Sequence, residues 1–272
     1  MVQRELVLSD IDGTLVNDEH QLPAPVIAAV QAYSAAGGHF VLASARPALG
    51  MTAIADKLGI DLPLVTLNGA LIVQTHRATN TFTTLFEQPL PAGVAARIYT
   101  LIHDHQLDIS INVHVNTHWY IDAPEYWSNQ EAAILDFQPE TTDLHALVHS
   151  DRPVHKILCM AEPAVIDQLD ALLKQEPDLN IAVSRSKLTY LEITAQGVSK
   201  QSALLHLADL LHVPVSNTMA IGDGENDLPM MQAAGLAVAM GNALPKVAAM
   251  IPTKVATNND AGVAEALRKF AM

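Results

Sequence analysis

Leu6-Val7-Leu8-Ser9-Asp10-Ile11-Asp12-Gly13-Thr14-Leu15 is the stretch that decides how this chain is read. Leu6 to Leu8 are apolar throughout, the pattern of a short strand buried on both faces. The run ends in two carboxylates one residue apart, followed by Gly13, a turn former. In parallel α/β sheets, active sites gather where strands end in this way. Asp10 and Asp12 repel each other unless a cation lies between them. Their oxygens suit a hard ion such as Mg2+. A carboxylate is also a nucleophile, forming an aspartyl-phosphate in some phosphoryl-transfer enzymes. Taken alone, a strand and an ordinary Asp-Gly turn explain the stretch equally well.

Outward from this stretch the chain alternates strand and helix, the text of a parallel sheet. A helix is expected from Ala24 to Ala36, opened by Pro25 and closed by Gly37-Gly38. A strand over His39–Ala43, a helix from Pro47 to Gly59 and a strand over Leu64–Leu67 follow, with Asn68-Gly69 as a hairpin signal. After about Phe86 the texture changes. A helix over 92–105, a hairpin around Asn116-Thr117, a helix near 125–136, polar text over 138–153, a strand over 155–160, a helix over 163–175 and a strand over 181–184 read as an inserted α+β segment. The first texture resumes near Leu191, with strands expected at 218–221, 236–239 and 254–256, and helices at 199–211, 243–250 and 261–270.

Composition narrows the possible functions. With 272 residues, half of them hydrophobic and 16% charged, the chain is a folded globule of one or two domains. A formal net charge of −14 argues against a nucleic-acid groove or an anionic membrane surface. It also means that any phosphate substrate must be met by a metal and a few placed cations. The single cysteine, Cys159, lies in an apolar run and reads as a small buried hydrophobe. No signal-peptide pattern and no membrane-length apolar run is present, so a cytoplasmic protein is expected.

Three further short sites join the first. Ser44-Ala45-Arg46-Pro47 puts a hydroxyl after the second strand and just before a helix, where backbone N–H groups favour anions. Lys200 stands in the first turn of an expected helix, against the helix dipole, which an anion nearby would explain. Asp223-Gly224-Glu225-Asn226-Asp227 is a second acidic cluster just after a strand. Each has an ordinary reading as a cap, a solvated lysine or a loop. Their order and matching positions make coincidence a poor account of all four.

Together with Gly197-Val198-Ser199-Lys200 and Leu228-Pro229-Met230, these stretches resemble the four motifs of the haloacid dehalogenase (HAD) superfamily. The likeness is to its Cof-type sugar-phosphatase branch, with a C2-type (IIB) α/β cap. Asn68-Gly69-Ala70 and Leu191-Glu192-Ile193 also resemble that branch. Ser44-Ala45 stands where Thr-Gly is commoner, and Gln201 where Gly is commoner. The resemblance implies an α/β fold: a Rossmann-like parallel-sheet core formed by residues 1–83 and 187–272, with an inserted α/β cap domain over 84–186. It implies a phosphoric monoester hydrolase acting on a sugar phosphate or similar small metabolite. Asp10 would be the nucleophile and Asp12 the acid and base. Mg2+ would be held by Asp10, the Asp12 main-chain oxygen and Asp223, with Asp227 steadying a metal water. Ser44, Lys200 and Asn226 would bind phosphate oxygens, and Arg46 would contact phosphate or fix the loop.

The cap would choose the leaving group. Arg185 and Ser186, just before the return to the core, are the expected contacts there, with His114, Asn116, His118 and Trp119 as other polar candidates. Histidine pairs such as His103 with His105 or His114 with His118 lack a third ligand at metal-binding spacing. The expected partner is a small phosphorylated substrate, with no nucleic acid and no membrane, for a monomer or small homo-oligomer. A phosphomutase with the same site, a receiver-like signalling domain and a non-catalytic phosphate-binding protein are the alternatives.

Overall fold

The computed structural model describes residues 2–272. In chain order the strands are β1 (Leu6–Ser9), β2 (His39–Ala43), β3 (Pro63–Thr66), β4 (Leu71–His76), β5 (Thr81–Glu87), β6 (Ser110–Val115), β7 (His118–Ile121), β8 (Glu140–Thr141), β9 (Val154–Met160), β10 (Ile181–Lys187), β11 (Tyr190–Ala195), β12 (Thr218–Gly222) and β13 (Leu236–Ala239). The chain divides into two units. Residues 2–45, 51–86 and 199–272 form the first, and residues 46–50 and 87–198 the second.

The first unit is built on a seven-stranded sheet in the order β13-β12-β1-β2-β3-β4-β5. Its centre is parallel: β1 pairs with β2 and β12, β2 with β3, and β12 with β13. These strands are buried and almost wholly apolar, as a sheet covered on both faces requires. The sheet is not parallel throughout, because β4 turns back antiparallel to β3. The Asn68-Gly69 hairpin signal lies in that return, but Thr66 faces Leu71, so the loop is four residues long and tightens into a 3₁₀ turn. The helix Ala24–Ala35 carries Pro25 in its first turn, as the sequence suggests. The helix Lys200–Leu210 starts at Ser199, whose hydroxyl accepts from the Ser202 N–H while the Ser202 hydroxyl accepts from the Ser199 N–H. At the chain's end the helix Gly262–Ala266 widens into a π turn over Leu267–Ala271.

The second unit carries a six-stranded sheet, β10-β11-β9-β6-β7-β8. The helices Val94–Asp104 and Pro163–Leu173 pack their apolar faces on Ile111, Val113, Val115, Ile157, Cys159, Leu191 and Ile193. Period-two alternation puts Ser110, Asn112, His114, Lys156, Glu192 and Thr194 on the opposite face, and all six are buried. The helix Tyr126–Leu135 packs part of that face through Trp119, Ile121, Ala132 and Leu135. Two expectations need correction. Strand β11, read as the return to the core after 186, pairs with both β9 and β10 in the second sheet. The crossing therefore lies at Val198–Ser199. The polar text over 138–153 also contains β8 and the short helix Leu144–Val148. Among the described residues, no helix is long and apolar enough to cross a membrane.

Candidate active site

Three stretches of the first unit leave the same edge of its sheet. Ser9 pairs with Leu42 on β2 and with Ile221 on β12, so Asp10, Ser44 and Asp223 each lie just beyond the C-terminal ends of adjacent parallel strands. The Asp10 N–H donates to the Ile221 carbonyl at 3.0 Å, which fixes the start of the loop. Gly13 lets that loop turn, at φ +76°. A Cβ there would lie 2.5 Å from an Asp223 carboxylate oxygen, so only glycine lets the two acidic loops meet. Thr14 joins them directly: its hydroxyl donates to Asp223 Oδ1 at 2.7 Å. The Asn242 amide donates to the Gly13 carbonyl at 2.7 Å.

Lys200 stands at the centre. It is buried, and its ammonium donates to Asp10 Oδ1 at 2.5 Å and to Asp227 Oδ1 at 2.7 Å. Asp227 Oδ2 accepts from the Asp223 and Gly224 amides at 3.2 and 3.0 Å. Both Asp227 oxygens are thus taken by the protein, which suits a positioning role better than a ligand role. Asp10, Asp223 and Asp227 each bring one oxygen within 4.8 Å of the others. Among the described residues this is the one such group of three or more histidine, cysteine or acidic side chains.

The electrostatics follow from burial. Burial pushes the Asp10 carboxyl up to about 8, with Asp227 and Asp223 adding and Lys200 opposing. Burial also raises Asp223, against the Thr14 hydrogen bond. On Lys200, burial favours the neutral amine, but Asp10 and Asp227 outweigh it and hold its pKa above the ordinary value. Three carboxylates around one ammonium carry excess negative charge, which a hard divalent cation would neutralise. All donors are oxygens, so the residues fit Mg2+.

The other expected residues are more peripheral. Asp12 is exposed, its side chain 3.8 Å from His20 Nδ1. Ser44 is buried, and its carbonyl accepts from the Asn68 N–H at 3.1 Å. Asn226 is exposed in the 3₁₀ turn Glu225–Asp227. Arg46 lies in the segment 46–50 and reaches the Gly50 carbonyl at 3.5 Å. Arg185 is used inside the second unit, where its guanidinium donates to Asp167 Oδ1 at 2.5 Å and the Leu188 carbonyl at 2.6 Å. Ser186 is exposed on β10. Trp119 is buried packing, His118 bonds Glu140 Oε1 at 2.6 Å, and Asn116 forms the β6–β7 turn. Thr14 and Asn242 escaped the sequence reading. Thr14 was legible as the hydroxyl beside the Asp-Gly turn. Asn242 carries no local signal.

The family model of the haloacid dehalogenase-like hydrolases matches residues 7–267. The chain is 30% identical, over 89% of its length and 86% of the relative's, to an HMP-PP phosphatase of Cronobacter sakazakii. It is 27% identical to a 5-amino-6-(5-phospho-D-ribitylamino)uracil phosphatase of Bacillus subtilis, covering 100% of this chain and 99% of the other. Its structure resembles that of a haloacid dehalogenase-like hydrolase from Bacteroides thetaiotaomicron, with a TM-score of 0.85, 26% identity, and coverage of 98% and 99%.

Proposed function

Since the chain belongs to the haloacid dehalogenase-like hydrolases, we propose that it is a phosphatase that hydrolyses a small phosphorylated metabolite through an aspartyl-phosphate on Asp10. The observation that carries this reading is the Lys200–Asp10 hydrogen bond at the end of β1, with a carboxylate oxygen of Asp223 within 4.8 Å of one of Asp10. Asp10 is the nucleophile. Its attack on phosphorus releases an alkoxide, which Asp12 protonates. Asp12 then takes a proton from the water that cleaves the aspartyl-phosphate, returning Asp10 and inorganic phosphate. Lys200, with Ser44 and Asn226, neutralises and orients the phosphoryl oxygens, the main source of rate in phosphoryl transfer. Asp10, Asp223 and the Asp12 main-chain oxygen would hold Mg2+, which supplies charge neutralisation at the phosphoryl group. Asp227 holds Lys200 and the Asp223 loop in place.

The two relatives are named as phosphatases of HMP-PP and of 5-amino-6-(5-phospho-D-ribitylamino)uracil. A sugar phosphate or similar phosphomonoester is the substrate class proposed here. The second unit is proposed as the cap that selects the leaving group. Ser186 remains a candidate contact within it. Arg185, whose exposed guanidinium also donates to Asp167 and the Leu188 carbonyl, remains one as well. Arg46 is proposed to hold its own loop through Gly50. The buried single cysteine suits a cytoplasmic setting.

The test separates the two carboxylates. Asp10→Asn should abolish turnover with the fold intact, since an amide is a poor nucleophile. Asp12→Asn should lose roughly 10²–10⁴-fold in turnover. With p-nitrophenyl phosphate the leaving group needs little protonation, so Asp12→Asn should release a burst of at most one p-nitrophenolate per active site. Rapid quench and mass spectrometry should find the phosphoryl group on the peptide containing residue 10. No burst in Asp12→Asn, with turnover retained in Asp10→Asn, would reverse the roles or point to direct attack by water.

A further inference from the structure

The turn after β1 is wound on one atom. The Ile11 carbonyl accepts from the Thr14, Leu15 and Val16 N–H groups at 3.3, 2.9 and 3.1 Å. Asp12 stands inside this turn with its side chain exposed, so packing does little to place it. Gly13, next to it, gives the backbone more freedom than any other residue would. Groups outside the turn hold it. Asn258, from the loop before the helix Gly262–Ala266, is 2% exposed. Its side-chain amide donates to the Val16 carbonyl at 3.1 Å and to Asp18 Oδ1 at 3.0 Å. Its backbone N–H donates to Asn242 Oδ1 at 3.0 Å, and the Asn242 amide donates to the Gly13 carbonyl at 2.7 Å. Asn259 adds a reciprocal pair: the Asp18 N–H donates to Asn259 Oδ1 at 3.0 Å, and the Asn259 amide to Asp18 Oδ2 at 2.9 Å. The loop that presents Asn258 is itself closed, because the Thr257 carbonyl accepts from the Asp260 and Gly262 N–H groups at 3.1 and 3.0 Å.

We propose that Asn258 is a positioning residue for Asp12. The proposal rests on the reading of Asp12 as the acid and base. Through Asn242 it pins the Gly13 carbonyl, one residue after Asp12, and directly it pins the Val16 carbonyl, where the turn ends. A tie that served only to fasten the end of the chain could finish on any group of the first unit. This one finishes on two carbonyls of the turn that carries Asp12. The residue type follows from the acceptors. One short side chain must offer two N–H donors, which asparagine does. Aspartate offers none and would face the Asp18 carboxylate, serine offers one, and leucine none. Proton transfer needs the carboxylate within hydrogen-bond reach of the reacting oxygen. A misplacement of about 1 Å costs about 100-fold, so a loosened turn shows first in the steps that move a proton.

Asn258→Leu keeps the volume and removes both side-chain donors. The control is Tyr33→Phe, which removes one hydrogen bond of the same unit, from the Tyr33 hydroxyl to the Arg4 carbonyl at 2.7 Å. Melting temperatures are measured first, then kinetics with p-nitrophenyl phosphate and with a sugar phosphate that the wild type hydrolyses. For p-nitrophenyl phosphate, kcat/KM reports the phosphorylation step, in which the leaving group needs little protonation. Asn258→Leu should therefore lower kcat about tenfold or more while kcat/KM stays within about threefold, and a burst of p-nitrophenolate should appear. For the sugar phosphate, kcat/KM should also fall about tenfold, because its alkoxide needs a proton. In the Asp12→Asn background, Asn258→Leu should change kcat less than about twofold, since the group it positions is gone. Tyr33→Phe should change neither ratio. Equal kcat in folded Asn258→Leu, an equal fall of kcat/KM for both esters, or the same loss in the Asp12→Asn background would overturn the proposal. If Asn258→Leu does not fold, Asn242→Ala, at an exposed position, cuts the Gly13 tie alone and is judged by the same outcomes. A wild type that hydrolyses no ester sinks the phosphatase reading instead. Amide hydrogen exchange over residues 11–16, read by mass spectrometry, then tests the hold: it should be faster in the folded Asn258→Leu or Asn242→Ala chain than in Tyr33→Phe, and unchanged exchange would overturn it.

Discussion

Lys200 occupies a place that helix electrostatics alone would deny it. A cation in the first turn costs roughly 0.3–1 kcal/mol. Each hydrogen bond to a charged group contributes about 1.5–3 kcal/mol, and Lys200 makes two, to Asp10 and Asp227, so the carboxylates decide the outcome. The sequence reading called for an anion near Lys200, and the anions found are the protein's own acids. Asp227 as the second of them was not legible, because the contact depends on how the Gly222–Asp227 turn folds back 27 residues downstream. The same crowding sets a test. The Asp10 carboxyl lies at about 8 against an ordinary 3.8, so its proton is held more tightly in the folded chain. That contribution to stability is present below about 4 and lost as pH rises through about 8. The metal-free protein should therefore lose melting temperature over that range, and Mg2+ should reverse the loss. Near pH 7, Mg2+ binding should release about one proton, falling towards none well above the Asp10 value. Titration calorimetry in buffers of different ionisation enthalpy reads this number. Binding at neutral pH with no buffer dependence would mean that Asp10 is already ionised.

The element that matters most is the turn after β1. Gly13 sits at φ +76°, where a side chain costs about 1–2 kcal/mol. A Cβ would also press on the Asp223 carboxylate. Gly13→Ala should therefore lose about 1–2 kcal/mol of stability and, because Asp223 is displaced, at least about tenfold in Mg2+ affinity. Gly37→Ala is the control. Gly37 is at φ +93° with nothing within 4 Å of a Cβ, so the same strain should leave Mg2+ affinity unchanged. Denaturant melts and Mg2+ titrations of the two variants read both effects. Equal Mg2+ affinity in both would dissociate the turn from the metal site. Turns and buried parallel strands were legible because their signals are local: an apolar run, then Asp-Gly. The partner of a strand is not local. β11 reads the same whether it joins one sheet or the other, and only its pairing with β9 and β10 assigns it. The helix Leu144–Val148 and the two-residue β8 are too short to carry a periodic pattern.

At the scale of the whole molecule, the chain crosses between its units at Phe86–Glu87 and Val198–Ser199. On the first unit's side, Phe86 stacks on His206 at 4.0 Å. His206 belongs to the helix that begins at Lys200, and seven residues of helix span about 10 Å. The two cut ends of the first unit are therefore close enough for a short linker. On the other side, Glu87 is held by His155, and Leu90 donates its N–H to the Val154 carbonyl at 2.7 Å. Each unit thus holds its own side of the crossing and has its own apolar cluster. Removing 87–198 and joining Phe86 to Ser199 through a short flexible linker should leave a folded first unit. Asp10, Lys200, Asp223 and Asp227 all belong to it, so their hydrogen bonds should survive. The shortened chain should still bind Mg2+ and hydrolyse p-nitrophenyl phosphate, though slowly. It should rank sugar phosphates differently from the full chain, since the leaving-group contacts assigned to the second unit are gone. Circular dichroism and a cooperative melt check the fold, and kcat/KM over a panel of esters checks the ranking. An unchanged ranking in a folded, active first unit would mean that the second unit does not choose the substrate.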